Sequence, residues 1–102
     1  MKLSASLQDI IKIIDEIIEL LGIADEVNWL NTLSSFKERC KLPQREEQLK
    51  LLSDIIRIYG GMGSFSDFVL YKNGNLMIDE NIRLDDLRTK LYDLVINSRT
   101  KL

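Results

Sequence analysis

The chain contains no histidine and only one cysteine, Cys40, among its 102 residues. Histidine is the commonest general base and the commonest metal ligand, so its absence excludes the Ser/His and Cys/His catalytic pairs. A zinc site would have to combine one thiolate with carboxylates. We therefore expect no catalytic residues, no metal and no cofactor. A lone thiol cannot form an internal disulfide, which fits a reducing cytoplasm.

Long apolar runs are lacking too. None reaches the ~18 residues of a membrane span, and Asp9, Lys12 and Asp15 interrupt the segment where a secretion signal would have its apolar core. The formal charge is −2 and the pI is about 5.1, whereas nucleic-acid-binding proteins are usually basic. We expect one cytoplasmic domain over residues 1–102 that binds neither membrane nor nucleic acid directly.

Apolar residues at three- and four-residue steps predict a helix from about Leu7 to Leu21. Ser4 or Ser6 is expected to cap this helix, and Gly22 to end it. A second helix is predicted from Asp25, its expected cap, to Cys40.

A third helix is predicted from about Gln44 to Tyr59, with Pro43 in its first turn and Gly60 as a left-handed stop. The last helix is predicted from about Glu80 or Leu84 to Ile96, followed by a polar tail, residues 97–102, that frays.

The stretch between the third and fourth helices has a different pattern. Asn73-Gly74 is the strongest short-range hairpin signal and predicts strands at Phe68–Tyr71 and Asn75–Ile78. We therefore expect a mostly α (α+β) fold. It is a bundle of about four helices with one small β-hairpin, an insert at about residues 66–78, between the third and fourth.

Three glycines, Gly60, Gly61 and Gly63, crowd the start of this stretch. A phosphate-binding P-loop places its glycines after a strand and ends in Gly-Lys-Ser/Thr, whereas these glycines close a helix. A structural role is therefore predicted, with a positive φ at one or more of the three. Asp67 is expected to cap a local turn. The predicted structural motif comprises Gly60, Gly61, Gly63, Phe65, Asp67, Asn73 and Gly74.

Acidic residues concentrate in two segments, residues 1–26 with a net charge of −4 and residues 79–86 with −3. One interpretation is a solvated helix face with acids that match the helix dipoles. The other is a surface that docks on a basic partner, since charge complementarity speeds association and selects the partner. The candidate partner-binding residues are Asp9, Asp15, Glu16, Glu19, Asp25, Glu26, Asp79, Glu80, Asp85 and Asp86.

The run from Gly60 to Leu70 resembles the Gly-Gly-Met-Gly-Ser-Phe-x-Asp signature of a family of small, uncharacterised bacterial proteins. The segments Glu80-Asn81 and Leu84 to Tyr92 resemble that family's second block, so the resemblance covers about residues 52–95. Ser66 and Phe68 stand where the family often has asparagine and leucine. Small proteins of this kind are often immunity proteins encoded beside bacterial toxins, including contact-dependent growth inhibition toxins. The resemblance transfers no catalytic residue.

The leading functional expectation is a cytoplasmic immunity protein. It would cover the active site of a cognate protein toxin, a basic nuclease, with an acidic face. One alternative is a homo-oligomeric or adaptor module, which a strongly apolar surface patch would favour. Another is an enzyme with a carboxylate-only site, which a deep pocket lined by paired acids would favour. The sequence leaves the oligomeric state open.

Overall fold

The computed structural model describes residues 5–24, 26–60 and 64–101. In these ranges the helices are α1 (Ala5–Ile23), α2 (Val27–Arg39), α3 (Arg45–Arg57) and α4 (Ile78–Lys101), and the strands are β1 (Tyr71–Lys72) and β2 (Asn75–Leu76). Each helix packs against the preceding one, and α4 also packs against α1. The predicted mostly α bundle with one hairpin between the third and fourth helices is confirmed.

The core lies between the four helices and is closed on one side by the loop after α3. Most of its buried side chains come from the apolar stripes of the four helices, because residues three and four apart share a helix face; the others come from the turn after α2 and the loop after α3. They are Leu7, Ile10, Ile14, Ile17, Leu20, Leu21, Leu33, Phe36, Cys40, Leu51, Leu52, Ile55, Phe65, Leu70, Leu84, Leu87, Leu91 and Val95.

The expected stop of α1 at Gly22 is wrong, because the helix passes through Gly22 and ends at Ile23. The turn comes next, where the amide of Ala24 donates to the carbonyl of Leu20. An added Cβ at Gly22 would meet no atom within 4 Å. A helical glycine costs only about 1 kcal/mol relative to alanine, and burial of the residues before it outweighs that cost. The predicted caps Ser4 and Asp25 lie outside the described residues, as does the Ser6 side chain.

Helices α2 and α3 are shorter than predicted. Glu26 is the N-cap residue of α2, and its side chain makes no capping hydrogen bond. Gln44 caps α3 with an extended backbone, so Pro43 lies before the helix instead of in its first turn.

Gly60 is not the left-handed stop that the sequence predicts. Its φ lies outside the left-handed region, and α3 ends instead by tightening into turns. The amide of Tyr59 donates to the carbonyl of Ile56, and that of Gly60 donates to the carbonyl of Arg57. Such i→i+3 bonds satisfy the last carbonyls without a positive φ. Gly61 and Gly63 lie outside the described residues.

The hairpin turn is formed by Asn73 and Gly74, with φ values of 53° and 78°. Two positive φ values in a two-residue loop match the twist of the flanking strands. The antiparallel register pairs Tyr71 with Leu76 and Lys72 with Asn75. Each strand is two residues long instead of the predicted four: β1 begins three residues later and ends one residue later than predicted, and β2 begins where predicted but ends two residues earlier.

The backbone at the predicted start of β1 is irregular, and the side chain of Asn81 holds it in place through hydrogen bonds. The main-chain N–H of Leu70 donates to Oδ1 of Asn81 at 2.8 Å, and Nδ2 of Asn81 donates to the carbonyl of Leu70 at 3.0 Å. The same Nδ2 donates to the carbonyl of Met77 at 2.7 Å. The side-chain amide of Asn81 thus supplements the hairpin pairing at Leu70, whose carbonyl also accepts a hydrogen bond from the main-chain N–H of Met77 at 3.1 Å.

Helix α4 begins earlier and ends later than predicted. It starts at Ile78, where the carbonyl of Met77 accepts a hydrogen bond from the amide of Asn81. The expected frayed tail is wrong up to Lys101, since Ser98 is buried at 2% exposure on the inward face. The apolar spacing ends at Val95, and Ser98 continues the buried stripe of α4 beyond it.

Candidate functional site

The glycine-rich stretch is fastened to α4 by one buried guanidinium group. Nη1 of Arg88 donates hydrogen bonds of 2.9 Å to the main-chain carbonyls of both Phe65 and Phe68. Nη2 donates to the carboxylate of Asp85. Arg88 is only 6% exposed, and these three acceptors compensate its buried charge. A buried ion without such partners is strongly destabilising.

Aromatic rings surround this guanidinium group. Its carbon lies 5.3 Å from the centroid of the Phe68 ring, within cation–π range. Trp29 stacks on Phe68 at 5.6 Å and contacts Phe65 at 5.2 Å. Tyr59 meets the edge of Phe65 and also packs on Tyr92. Trp29 therefore joins α2 to the loop.

The turn after the three glycines is organised by two serines. Oγ of Ser66 donates to the carbonyl of Tyr59 at 3.0 Å, and the hydroxyls of Ser64 and Ser66 are 2.8 Å apart. The amide of Asp67 donates to the carbonyl of Ser64 at 3.0 Å. Among the described residues, the Asp67 carboxylate takes no part in these bonds. Serine hydroxyls therefore cap this turn in place of the predicted Asp67 side chain.

Tyr59 connects the end of α3 to α4. Its phenol donates a 2.7 Å hydrogen bond to the main-chain carbonyl of Arg88. Burial, the largest cause, raises the pKa of Tyr59 well above its usual value. The phenol therefore stays protonated and keeps donating at physiological pH.

A pocket of about 440 Å³ opens beside this cluster. Its lining combines two tyrosines, two aliphatic hydroxyls and one ion pair, and consists of Tyr59, Ser66, Asp85, Arg88, Thr89 and Tyr92. Asp85 is the lining's one carboxylate, so the pocket contains no pair of acids. In the described part of the chain, no three Cys, Asp or Glu side chains converge as a metal site would require.

Two acids of α1 tie the bundle together. Asp15 pairs with Lys37 of α2 at 2.7 Å, and Glu16 pairs with Arg83 of α4 at 3.0 Å. The hydrogen bond and the charge of Asp15 raise the pKa of Lys37. Because α1 packs against α4 and Glu16 contacts Arg83, acids from the two segments that the sequence separates lie on neighbouring helices.

The other predicted partner-binding residues divide into paired and unpaired groups. Asp85 and Asp86 pair with Arg88 and Lys90 within α4. Asp9, Glu19, Asp79 and Glu80 make no ion pair with the described residues, and Asp79 and Glu80 lie in the first turn of α4, where negative charge is favourable. Glu26 is half-buried and Asp25 lies outside the described residues.

The structure also shows a surface that the sequence analysis missed. Seven of the ten exposed large apolar side chains in the described ranges belong to the stretch before β1, the hairpin and the outer face of α4. They are Val69, Tyr71, Leu76, Ile78, Ile82, Tyr92 and Ile96. The signal for the α4 members is their own helical spacing, which the stronger leucine stripe of the same helix obscures. Among the described helices, none is long and apolar enough to cross a membrane.

Part of the chain matches a known protein family. The model of the family described as Domain of unknown function (DUF6966) matches residues 23–78, more than half of the chain. The matched part runs from the end of α1 through the glycine-rich turn and the hairpin to the start of α4. No curated protein and no solved structure matches the chain. The chain belongs to the family Domain of unknown function (DUF6966).

Proposed function

We propose that this protein is an immunity protein that binds a basic bacterial toxin and covers its active site. The observation that carries this proposal is the 3.0 Å ion pair between Glu16 and Arg83. It brings the acids of α1 and of the first turns of α4 together on one surface. This surface, the α1/α4 acidic surface, comprises Asp9, Glu16, Glu19, Asp79, Glu80 and Asp86, against the three cations Lys12, Arg83 and Lys90.

The mechanism is electrostatic docking followed by occlusion. A nuclease presents a basic face to the phosphates of its substrate, so an acidic surface of matching size competes for that face. The field of grouped carboxylates raises the association rate. The unpaired acids Glu19 and Asp79 contribute to this field without holding helices together, whereas Glu16 and Asp85 also stabilise the fold.

The experiment begins with the protein encoded by the gene directly upstream. Co-expression should protect cells from its toxicity, and stopped-flow mixing should show an association rate that falls as salt rises, because exposed charges beyond about 10 Å are screened at 0.1 M. A double variant with Glu19→Lys and Asp79→Lys should associate more slowly and lose no more than about 1 kcal/mol of stability, since Asp79 lies in the first turn of α4 where a positive charge is unfavourable.

The matched control is the double variant Glu46→Lys with Glu47→Lys. It makes the same change in net charge in the first turn of α3, a helix that packs against α2 and α4. If control and test variants associate equally fast, the acidic surface does not guide docking. If the upstream protein neither harms cells nor binds, the immunity function fails.

A second candidate function, a homo-oligomeric or adaptor module, is favoured by the exposed apolar side chains of α4 and the hairpin. Light scattering of the purified chain across a concentration series separates the two. A stable dimer would support the module, whereas a monomer that binds the upstream protein one-to-one supports immunity.

A further inference from the structure

The hairpin ends in an exposed tip that the rest of the fold does not hold. Every residue from Tyr71 to Leu76 is exposed, and among the described elements the two strands pack on each other and on no helix. The hydrogen bonds that anchor the hairpin lie at its base, at Leu70, Met77 and Asn81. A lone hairpin is marginally stable. Because opening the tip uncovers no buried apolar side chain, this local opening costs little free energy.

The tip contains the pair Asn73-Gly74, whose reactive groups are unprotected. In the described part of the chain, neither the side chain of Asn73 nor the main-chain N–H of Gly74 makes a hydrogen bond. Gly74 has no side chain, and an atom built at its Cβ position would meet nothing within 4 Å. The main-chain nitrogen of Gly74 is therefore open to attack on the carboxamide carbon of Asn73 once the turn relaxes.

Asparagine is one of the thermolabile residues, because its Cγ is an electrophile that the next main-chain nitrogen reaches in a five-membered ring. Here the Gly74 nitrogen would lose its proton and bond to Cγ of Asn73, while the bond from Cγ to its own nitrogen breaks and ammonia leaves. Water then adds to either carbonyl of the cyclic imide and opens the ring. One opening gives aspartate. The other gives isoaspartate, in which the main chain runs through the former side chain.

The other five asparagines are held in conformations that oppose this ring closure. Four are helical, one lies in β2, and each is followed by a residue whose side chain shields the attacking nitrogen. They are Asn28, Asn31, Asn75, Asn81 and Asn97. The side-chain amide of Asn81 is also engaged in three hydrogen bonds. The reaction should therefore select Asn73.

We propose that Asn73 is a site of spontaneous covalent modification to aspartate and isoaspartate, and that opening of the hairpin tip sets its rate. The closed turn holds Asn73 at a φ of 53°, and a left-handed residue directs the next nitrogen away from its own Cβ. The ring therefore closes only in the open tip. Global unfolding is not required, because the hydrogen bonds of Asn81 lie outside the tip. This inference goes beyond the proposed function and is independent of it.

The two products affect the hairpin differently. Aspartate tolerates the left-handed backbone as asparagine does, so it keeps the turn and makes the chain one unit more negative than its −2. Isoaspartate adds one carbon to the main chain of the loop. Because loop length and turn type fix the register of a hairpin, the pairing of Tyr71 with Leu76 and of Lys72 with Asn75 should then be lost.

The test incubates the full chain at mildly alkaline pH and samples it over time, beside the same chain unfolded in urea. Trypsin cleaves after Lys72 and Arg83, so Asn73, Asn75 and Asn81 share one peptide and one history. Fragment mass spectrometry should find the mass change from an amide to a carboxyl group at Asn73 first, with an isoaspartate fraction. Earlier modification at Asn75 or Asn81 overturns the inference. So does an unmodified folded chain when the unfolded one is fully converted.

Two variants identify the motion that sets the rate. Leu76→Gly removes the cross-strand pair with Tyr71 and should speed the modification about two- to fivefold, as expected for the loss of such a pair. The control is Ile10→Val, which lowers global stability by truncating a buried side chain of α1 and should leave the rate unchanged. An unchanged rate in Leu76→Gly, or an equal or larger acceleration in Ile10→Val, overturns control by the tip.

The variant Asn73→Asp separates the two products. Its amide NMR signals from Tyr71 to Leu76 should stay close to those of the parent, whereas the purified isoaspartate fraction should lose the dispersion of these signals and keep those of the helices. If the isoaspartate fraction keeps the hairpin signals of the parent, the proposed effect on the hairpin is wrong.

Discussion

Nη1 of Arg88 donates a 2.9 Å hydrogen bond to the main-chain carbonyl of Phe65, which lies 23 residues earlier in the chain. This contact fixes the distance between α4 and the turn that follows the three glycines. Because Phe65 is fully buried, the contact also sets the position of a large core side chain. A charged residue in the last helix therefore determines how the non-helical insert packs.

We predict that Arg88→Met lowers the free energy of unfolding by about 2–4 kcal/mol, since the carbonyls of Phe65 and Phe68 lose their donor. Arg88→Lys should recover only part of this loss. An ammonium group lacks the planar fork with which the guanidinium reaches both carbonyls and Asp85. Urea unfolding followed by circular dichroism measures both.

Lys90→Met is the control for these variants. Lys90 is an exposed cation on the same helix whose ion pair with Asp86 is at the surface, so its loss should change stability by less than about 1 kcal/mol. Equal effects at positions 88 and 90 would show that Arg88 does not hold the loop.

Asn81→Asp should destabilise the hairpin by about 1–3 kcal/mol. The carboxylate cannot donate to the carbonyls of Leu70 and Met77 and would stand against both. Amide hydrogen exchange of Leu70 and Leu76 should quicken more than that of the core of α1. Asn97→Asp, an exposed asparagine on the same helix, serves as control and should leave these rates unchanged.

Periodicity predicted the elements of this fold because most of its energy lies in the apolar stripes. Ile10, Ile14, Ile17 and Leu21 are buried as their spacing requires. The helix ends were predicted less well, since they depend on local turns and on burial that the apolar spacing does not specify. Gly22 remains helical because it lies between the buried Leu20 and Leu21 and the turn at Ala24. Helix α4 continues past Ile96 because Ser98 is buried against the core.

The candidate site was visible only in part. The sequence indicated that Phe65 and the acids matter, but not that Arg88 is buried, since two of the three acceptors of its guanidinium are main-chain carbonyls that no sequence pattern encodes. Likewise, the partner of Glu16 is 67 residues away. Such distant pairs follow from the packing of α1 on α4, which periodicity does not specify.

Two glycines should respond to alanine with opposite signs. Gly74→Ala should cost about 1 kcal/mol or more, because φ is 78° there. Gly22→Ala should stabilise the protein by about 0.5–1 kcal/mol, because Gly22 is helical and has free space around it. Thermal melting of both variants beside the parent checks the pair.

Gly60→Ala provides the neutral reference. Its φ is not left-handed, and an added Cβ would lie 3.9 Å from the carbonyl oxygen of Arg57, an ordinary contact. This variant should melt within a few degrees of the parent. A large loss of stability in Gly60→Ala together with none in Gly74→Ala would contradict the backbone conformations assigned to both glycines.

The stability of the protein should fall as the pH rises above about 9. Burial raises the pKa of the Cys40 thiol from 9.0 to about 11. Between these values the unfolded chain ionises its thiol while the folded chain keeps the proton, so rising pH favours unfolding. The contribution is fully present below pH 9 and is lost towards pH 11, by roughly 1–3 kcal/mol for a shift of this size. Tyr59, whose pKa burial also raises, adds to the loss above pH 10.

The variant Cys40→Ala separates the thiol from the phenol. It should be less stable than the parent at pH 7, because a buried side chain is truncated, but its stability should fall less between pH 9 and 10. Urea midpoints at pH 7, 9 and 10 under reducing conditions measure both slopes, and Tyr59 contributes equally to each. Parallel slopes would mean that the thiol ionises as readily in the folded chain as in the unfolded one. Iodoacetamide gives an independent readout, since a buried protonated thiol should react with it only at the rate at which the bundle opens.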